Sequence, residues 1–191
     1  MYRDGIGVAQ DYNEAVRWFR KAADQGLAIA QSKLGNMYQN GDGVAADYNE
    51  AAQWYHRKAA VKLQTKDQGL ANAQFNLEDM YRNGTGVAQD YSEAVRYFRK
   101  AADQGFANAQ FNLGQRYSIG NGVTQDYSEA VRWFRKAADQ GMAIAQFSLG
   151  TTYHNGDGVA QDYSEAVRWF RKAADQGMAI AQFSLGTTYH N

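Results

Sequence analysis

The chain has 191 residues with 19 glycines, no proline and no cysteine, and its 20 basic and 20 acidic side chains cancel. The lack of cysteine removes disulfides, thiolate metal sites and cysteine nucleophiles, and the charge balance gives nucleic acid or an anionic membrane no electrostatic surface to bind. No apolar run approaches the roughly 20 residues that span a bilayer, and the opening Met1-Tyr2-Arg3-Asp4-Gly5 shows no signal-peptide hydrophobic stretch, which leaves the compartment open.

The tetrapeptide Gly-x-Gly-Val begins at Gly5, Gly41, Gly84, Gly120 and Gly156, at steps of 36, 43, 36 and 36 residues. A fixed period of this size marks a repeat architecture built from one supersecondary unit. Met1-Tyr2 matches Met37-Tyr38, so the chain is expected to open on the tail of a helix that leads into the first loop. After that loop the pattern predicts a helix over Tyr12–Gln25. Asp11 takes its N-cap and Glu14 stands three residues on, a capping-box arrangement in which the glutamate reaches back. Tyr12, Ala15, Val16, Phe19, Ala22 and Ala23 form one broad apolar face with Trp18 at its flank, opposite Arg17, Arg20, Lys21 and Asp24. Gly26 supplies the left-handed stop, and Gly69, Gly105, Gly141 and Gly177 are read the same way.

A further helix is predicted over Ala28–Asn40, buried along Ala30, Leu34 and Tyr38, ended by Gly41 and without a good N-cap. The helix before each glycine loop is the first of a repeat and the helix after it the second. The repeat that follows Gly41 carries seven extra residues around Val61–Asp67. An insertion of that length keeps the buried face nearly in phase, so the second helix is expected to lengthen by roughly 10 Å and to overhang the stack with Val61 and Leu63. The next first helix has Glu78 where the other copies have Gly35, Gly114, Gly150 and Gly186. A recurring mid-helix glycine implies close helix approach. Glu78 is therefore expected to push its helix pair apart or swing its carboxylate into solvent, which makes residues 55–80 a candidate hinge or partner ledge.

The stretch Gln125–Asn155 is identical to Gln161–Asn191, as in a recent duplication or an engineered array. Two helices of this length cannot bury their apolar faces alone, whereas stacked copies can. The expected fold is all-α: one solenoid domain over residues 1–191. Neither end shows a polar capping repeat, so end-to-end self-association through terminal helices is expected, as is derivation from a longer array.

The run Leu34-Gly35-x-x-Tyr38-x-x-Gly41-x-Gly43-Val44, followed by Asp47-Tyr48-x-Glu50-Ala51, resembles the Sel-one-like repeat (SLR) family. That family is related to tetratricopeptide repeats but has a longer period and a glycine loop between its helices. The likeness covers essentially the whole chain. It lacks the proline that follows the second helix of a tetratricopeptide repeat and the bridging cysteines of the cysteine-rich bacterial branch. It implies a right-handed α-α superhelix of five helix pairs, a concave groove lined by first helices, and an adaptor role in protein complexes. Bacterial members are often exported, so the resemblance allows a periplasmic or secreted setting as well as a cytoplasmic one.

Catalytic and cofactor chemistry find no constellation in the sequence. Of the histidines His56, His154 and His190, the last two occupy one position in identical repeats, and they lack Ser/Asp or metal-ligand partners at helical spacing. Carboxylate pairs such as Asp11 and Glu14 recur in all five copies as caps. The glycine loops lead into helices whose first turns already hold Asp and Glu at the positive end of the dipole, and the P-loop lysine is missing. The Asn-Gly-Asp-Gly stretches at Asn40 and Asn155 lack the spaced carboxylates of a calcium loop. No catalytic residue, metal or cofactor is expected.

At 100° per residue, position 32 points about 150–170° away from the face of Ala30, Leu34 and Tyr38. It is Ser32 in one copy and Phe75, Phe111, Phe147 and Phe183 in the others. Asn72, Asp79, Asn83, Asn108, Gln115, Ile119, His154 and Asn155 share that side. A phenylalanine ladder interleaved with amides suits an extended peptide, because it offers apolar pockets and partners for a backbone. Packing of each phenylalanine on a neighbouring repeat is the other reading. The expected function is non-enzymatic binding of a protein or peptide along the groove, with no nucleic acid and no membrane. The alternative is a self-assembling structural array without a ligand. A small-molecule or cell-wall-fragment binder rests on family analogy alone.

Overall fold

The structure, a computed structural model, describes residues 9–60 and 68–190. Val61, Leu63 and the expected overhang lie outside the described residues. Ten α-helices and no strand occur among the described residues: α1 (Tyr12–Asp24), α2 (Ala28–Asn40), α3 (Tyr48–Ala60), α4 (Gln68–Asn83), α5 (Tyr91–Asp103), α6 (Ala107–Ile119), α7 (Tyr127–Asp139), α8 (Ala143–Asn155), α9 (Tyr163–Asp175) and α10 (Ala179–His190). Even-numbered helices are the first helices of repeats and odd-numbered ones the second. The chain divides into two compact units, residues 1–97 and 98–191. In unit 1, α2 packs on both α1 and α3, and α4 packs on α3 and α2. In unit 2, α6 packs on α7, α8 on both α7 and α9, and α10 on α9.

Local chemistry sets the helix limits. Asp11 Oδ1 accepts from the Glu14 backbone N–H at 3.0 Å, and Asp47, Asp90, Asp126 and Asp162 cap their helices in the same way. The glutamate does not reach back as the capping box predicts. The Glu14 carboxylate instead accepts from Arg17 at 2.6 Å and from the Trp18 indole N–H at 2.9 Å, donors on the following turn that a carboxylate prefers to one backbone amide. Gly26 and Gly41 take φ values of +86° and +79°, the left-handed stops expected of them. Gly69 departs from that pattern: it lies in the first turn of α4, which already begins at Gln68.

The recurrent Ala-x-Ala-Gln segment also has a structural purpose. The amide nitrogens of Gln31, Gln110, Gln146 and Gln182 donate to the carbonyls of Ala23, Ala102, Ala138 and Ala174 at 3.0 to 3.3 Å. Each bond brings a second donor to a last-turn carbonyl that already accepts from the glycine N–H three residues on, and ties two helices where no N-cap side chain is present.

Mid-helix glycines mark the closest helix approach within a repeat. A Cβ at Gly150 would lie 2.6 Å from the Phe170 ring, and one at Gly114 would lie 2.7 Å from Phe134. Gly35 meets Tyr55 in the same way. Glu78 replaces this glycine without turning to solvent, so of the two outcomes expected for it the outward swing of the carboxylate does not occur. It is 2% exposed, and its carboxylate accepts from Arg82 Nε at 3.3 Å. On the neighbouring α3, Lys58 is 1% exposed at the position held by Ala101, Ala137 and Ala173 in other repeats. Opposite charges thus occupy two buried positions that otherwise hold alanine and glycine, and the Arg82 guanidinium pairs with the carboxylate that stays inside.

Candidate functional site

The predicted phenylalanine ladder resolves into three environments. Phe111 is 7% exposed and belongs to the core of unit 2, its ring centroid 5.7 Å from that of Phe134. It is therefore not part of an accessible face. The wheel that aimed it outward assumed one buried face, whereas a first helix such as α8 is covered from two sides, by α7 and by α9. Phe147 is half-buried, 5.5 Å from Phe170 by ring centroids, and keeps one edge toward solvent. Phe75 and Phe183 are exposed. Asn108, Gln115, Asn83 and His154 are exposed as expected, Asp79 is half-exposed, and the side chain of Asn72 lies outside the described residues.

Two successive clefts open between the first helices of unit 2, and Phe147 lines both. One, of about 340 Å³, has Gln115 and Ser118 of α6 on one wall and Phe147, Ser148 and Thr151 of α8 on the other, with Phe134 among its lining residues. The next, of about 240 Å³, has Phe147, Thr151 and His154 facing Ser184, Thr187 and Thr188 of α10, with Phe170 also lining it. His154 is held at this rim: its Nδ1 lies 3.1 Å from Asn155 Oδ1, and its ring meets Tyr163 edge-on at 5.3 Å. Ile144 and Ile180, one turn before Phe147 and Phe183, are exposed as well. They were missed in the sequence because the same position is Ile29 in one copy but Asn72 and Asn108 in the next two, which made it look polar. Each first helix of this pair thus presents apolar side chains toward its N-terminal end and hydroxyls toward its C-terminal end, where α8 adds His154 and Asn155.

In unit 1 the corresponding place between α2 and α3 is polar, although Ile29 and Phe75 are exposed on the first helices. Tyr55, which stands where Phe134 and Phe170 stand in unit 2, directs its hydroxyl to Asn36 Oδ1 and Gln39 Oε1, both at 2.7 Å. Burial pushes its pKa up to about 12, and the hydrogen bond from Asn76 opposes the rise. Asp79 pairs with Arg82 and accepts from Asn83 Nδ2 at 3.0 Å, so two predicted groove residues are engaged with one another.

A second cluster escaped the sequence reading. His56 lies between two tyrosine hydroxyls, Nδ1 at 2.8 Å from Tyr97 and Nε2 at 3.2 Å from Tyr81, whose rings stack at 5.9 Å. Burial raises the pKa of both phenols. The signal was a paired exchange. His56 replaces the arginine that elsewhere donates to the first-helix tyrosine, as Arg20 does to Tyr38 and Arg135 to Tyr153. Tyr97 in turn replaces a tryptophan. This cluster is internal bonding and adds no pocket. Among the described residues no group of His, Asp and Glu could hold a metal ion, and no helix is long and apolar enough to cross a membrane.

Stacked helix pairs, glycine loops and clefts between first helices with Asp157 as their one fully charged lining residue define an all-α repeat protein of the interaction-scaffold class. The Sel1 repeat profile matches residues 1–27, 28–60, 71–106, 107–142 and 143–178, so the chain belongs to the Sel1 repeat family. It is similar to the crystal structure of a Sel1 repeat protein from Oxalobacter formigenes, at 38% identity and a TM-score of 0.75, over 100% of this chain and 75% of that one. It is also similar to c5321, a protective antigen of uropathogenic Escherichia coli with an SLR fold, at 36% identity and a TM-score of 0.64, over 97% of this chain and 46% of that one. No curated protein matches the chain significantly. Sel1 repeats commonly mediate protein–protein interaction and are generally non-catalytic scaffolds.

Proposed function

We propose that this chain is a protein-interaction module that holds an extended segment of a partner against the first helices of unit 2. The observation that carries the reading is the pair of successive clefts sharing Phe147, each with an apolar floor and a hydroxyl or amide wall. An extended segment leaves its backbone N–H and C=O groups unpaired, and Gln115, Ser118, Thr151 and Thr187 offer both donors and acceptors to meet them. Its apolar side chains enter beside Ile144 and Phe147. Asp157 is the one side chain with a full charge lining the two clefts, so partner chemistry is apolar and uncharged and binding depends little on salt.

Selection of displayed peptides on the immobilised chain, followed by anisotropy titration, tests this. Selected peptides are expected to bind Phe147→Ala at least about tenfold more weakly. Ile144→Asp, a change at an exposed side chain that leaves the core intact, weakens them too. Peptides that bind both variants as they bind the parent overturn the assignment.

A further inference from the structure

Four asparagines of this chain precede a glycine: Asn40, Asn83, Asn121 and Asn155. An asparagine in that position can lose its side-chain amide without an enzyme. The nitrogen of the next residue attacks the amide carbon, and glycine, which has no Cβ, hinders that approach least. The fold holds the four in two different settings.

Asn40, Asn83 and Asn155 are the last residues of α2, α4 and α8. The nitrogen that would attack is occupied there. The Gly41 N–H donates to the Met37 carbonyl at 2.9 Å, and the Gly156 N–H donates to the Thr152 carbonyl at 2.8 Å. The side chains are held as well. Asn40 Nδ2 lies 3.4 Å from Asp42 Oδ2, Asn155 Nδ2 donates to Asp157 Oδ2 at 3.1 Å, and Asn83 Nδ2 donates to Asp79 Oδ1 at 3.0 Å.

The loop at Gly120 exchanges these positions. Two other loops read Asn40-Gly41-Asp42-Gly43 and Asn155-Gly156-Asp157-Gly158, whereas this one reads Ile119-Gly120-Asn121-Gly122. Gly120 makes the closing helix bond, to the Arg116 carbonyl at 2.9 Å, so the asparagine falls beyond the end of α6. Asn121 Oδ1 is buried without a hydrogen-bond partner, and Ile119 stands where the two other loops have the donating asparagine. The Gly122 N–H has no partner among the described residues. Asn121 is half-buried, so water still reaches it.

We propose that Asn121 is a self-modifying residue, converted through a cyclic imide to aspartate and isoaspartate. The Gly122 nitrogen forms a bond to Asn121 Cγ and gives its proton to hydroxide. The Cγ–Nδ2 bond breaks, and the nitrogen leaves as ammonia with a proton taken from water. Water then opens the imide. Cleavage at Cγ leaves aspartate, and cleavage at the main-chain carbonyl leaves isoaspartate, whose backbone is longer by one methylene. Water is the sole co-reactant. The two products differ in their effect on the fold. Aspartate reproduces the Gly-Asp-Gly of Asp42 and Asp157, which this loop type already accepts. Isoaspartate lengthens a span pinned at both ends, by the Asn121 N–H on the Arg116 carbonyl and the Asp126 N–H on the Tyr117 carbonyl. It therefore strains the Asp126 cap of α7.

Incubation of the folded full chain in mildly alkaline buffer, with mass spectrometry of its tryptic peptides, tests this. The peptide Tyr117–Arg132 is expected to gain one mass unit, from NH2 to OH. Asn121 should react roughly five- to tenfold faster than Asn40 and Asn155, the factor that opening one hydrogen bond imposes on them. In urea that lead disappears, because the bonds that protect the others are gone. Asn121→Gln, whose longer side chain disfavours ring closure, keeps its mass over the same interval. Asn121→Asp melts with the parent, and the isoaspartyl fraction, separated by chromatography, melts lower. Equal rates at Asn121 and Asn40 in the folded chain, a lead that persists in urea, or no product at Asn121 each overturn the proposal. An isoaspartyl fraction that melts with the parent overturns the effect assigned to the longer backbone.

Discussion

The α2–α3 pair of unit 1 and the α8–α9 pair of unit 2 share a backbone plan, and two of the positions at which they differ set the chemistry of the surface. Both bring a first-helix glycine, Gly35 or Gly150, under an aromatic ring of the second helix, Tyr55 or Phe170. Three residues before the glycine, unit 1 has Ser32 and unit 2 has Phe147. With serine and tyrosine, the hydroxyl of Tyr55 recruits Asn36 and Gln39 into a closed network. With two phenylalanines, the same place becomes the floor of an open cleft. The helix approach fixes the glycine and the presence of a ring. What the ring carries, and hence the chemistry the surface offers, remains free to change.

Unit 1 departs furthest from the repeat at Lys58 and Glu78, and the largest effect is expected there. If the two charges compensate for alanine and glycine elsewhere, removing one leaves the other inside a packed pair. Glu78→Gly is then expected to cost about 3 kcal/mol, even though it restores the repeat, and Lys58→Ala a similar amount. The double variant, which has the side chains of unit 2, costs far less than the two together. Urea unfolding of all four proteins measures the coupling. Additive losses would show that the charges act separately. A gain from Glu78→Gly alone would show that crowding at the glycine position outweighs charge.

Gly150→Ala is the next largest. Its Cβ would stand 2.6 Å from the Phe170 ring and 3.2 Å from the Ala166 carbonyl oxygen, one of which must yield. A loss of about 1–3 kcal/mol is expected, against the gain that alanine normally brings to a helix. Gly35→Ala should behave alike, because the ring of Tyr55 occupies the same place. A neutral result at either position would mean the second helix can withdraw freely, and the shared plan would lose its central constraint.

Much of this was legible because a repeat reports on itself. The glycine steps, the Asp11-type caps and the stops at Gly26 and Gly41 are local signals, and α2 runs from Ala28 to Asn40 as the pattern predicts. Contacts between helices were harder to read. Trp18 looks like a flank on its own wheel, and its equivalents Trp54 and Trp169 become core only when the neighbouring repeat covers them. Phe111 points away from one buried face and into another, for a first helix lies between two second helices. The exchange of arginine for His56 needed Tyr97, forty-one residues further along, before it made sense. Periodicity within a helix reports the first partner it meets, and the remaining partners are a property of the stack.

The hydroxyl of Tyr55 distinguishes the two pairs chemically, and Tyr55→Phe gives unit 1 the ring of unit 2. Losing its bonds to Asn36 and Gln39 is expected to cost about 1 kcal/mol at neutral pH. The pH dependence has a definite sign. Burial lifts the phenol to about 12 in the folded chain, above the roughly 10 of an unfolded tyrosine. The folded state therefore holds the proton more tightly. The stabilisation is full below pH 10 and is lost as pH rises from about 10 to 12, where only the unfolded chain ionises. The parent's melting temperature should fall across that window more steeply than that of Tyr55→Phe. Parallel alkaline limbs would mean that the phenol is not held in a dry site.

The smallest expected effect isolates packing from sequence. Gly150 and Gly186 sit in identical stretches, yet a Cβ at Gly186 meets nothing within 4 Å. Helix propensity alone then decides, and Gly186→Ala should stabilise by a few tenths up to about 1 kcal/mol. The same substitution in the same local sequence is thus expected to change sign between α8 and α10, with the Phe170 ring and the Ala166 carbonyl over Gly150 as the difference. Thermal melts of the two variants beside the parent read this directly. Two losses would mean that the glycine is required by the first helix itself, whatever packs against it. Two gains would mean that the ring gives way. Opposite signs place the requirement in the helix pair, where the comparison of Tyr55 with Phe170 also locates the chemistry of the surface.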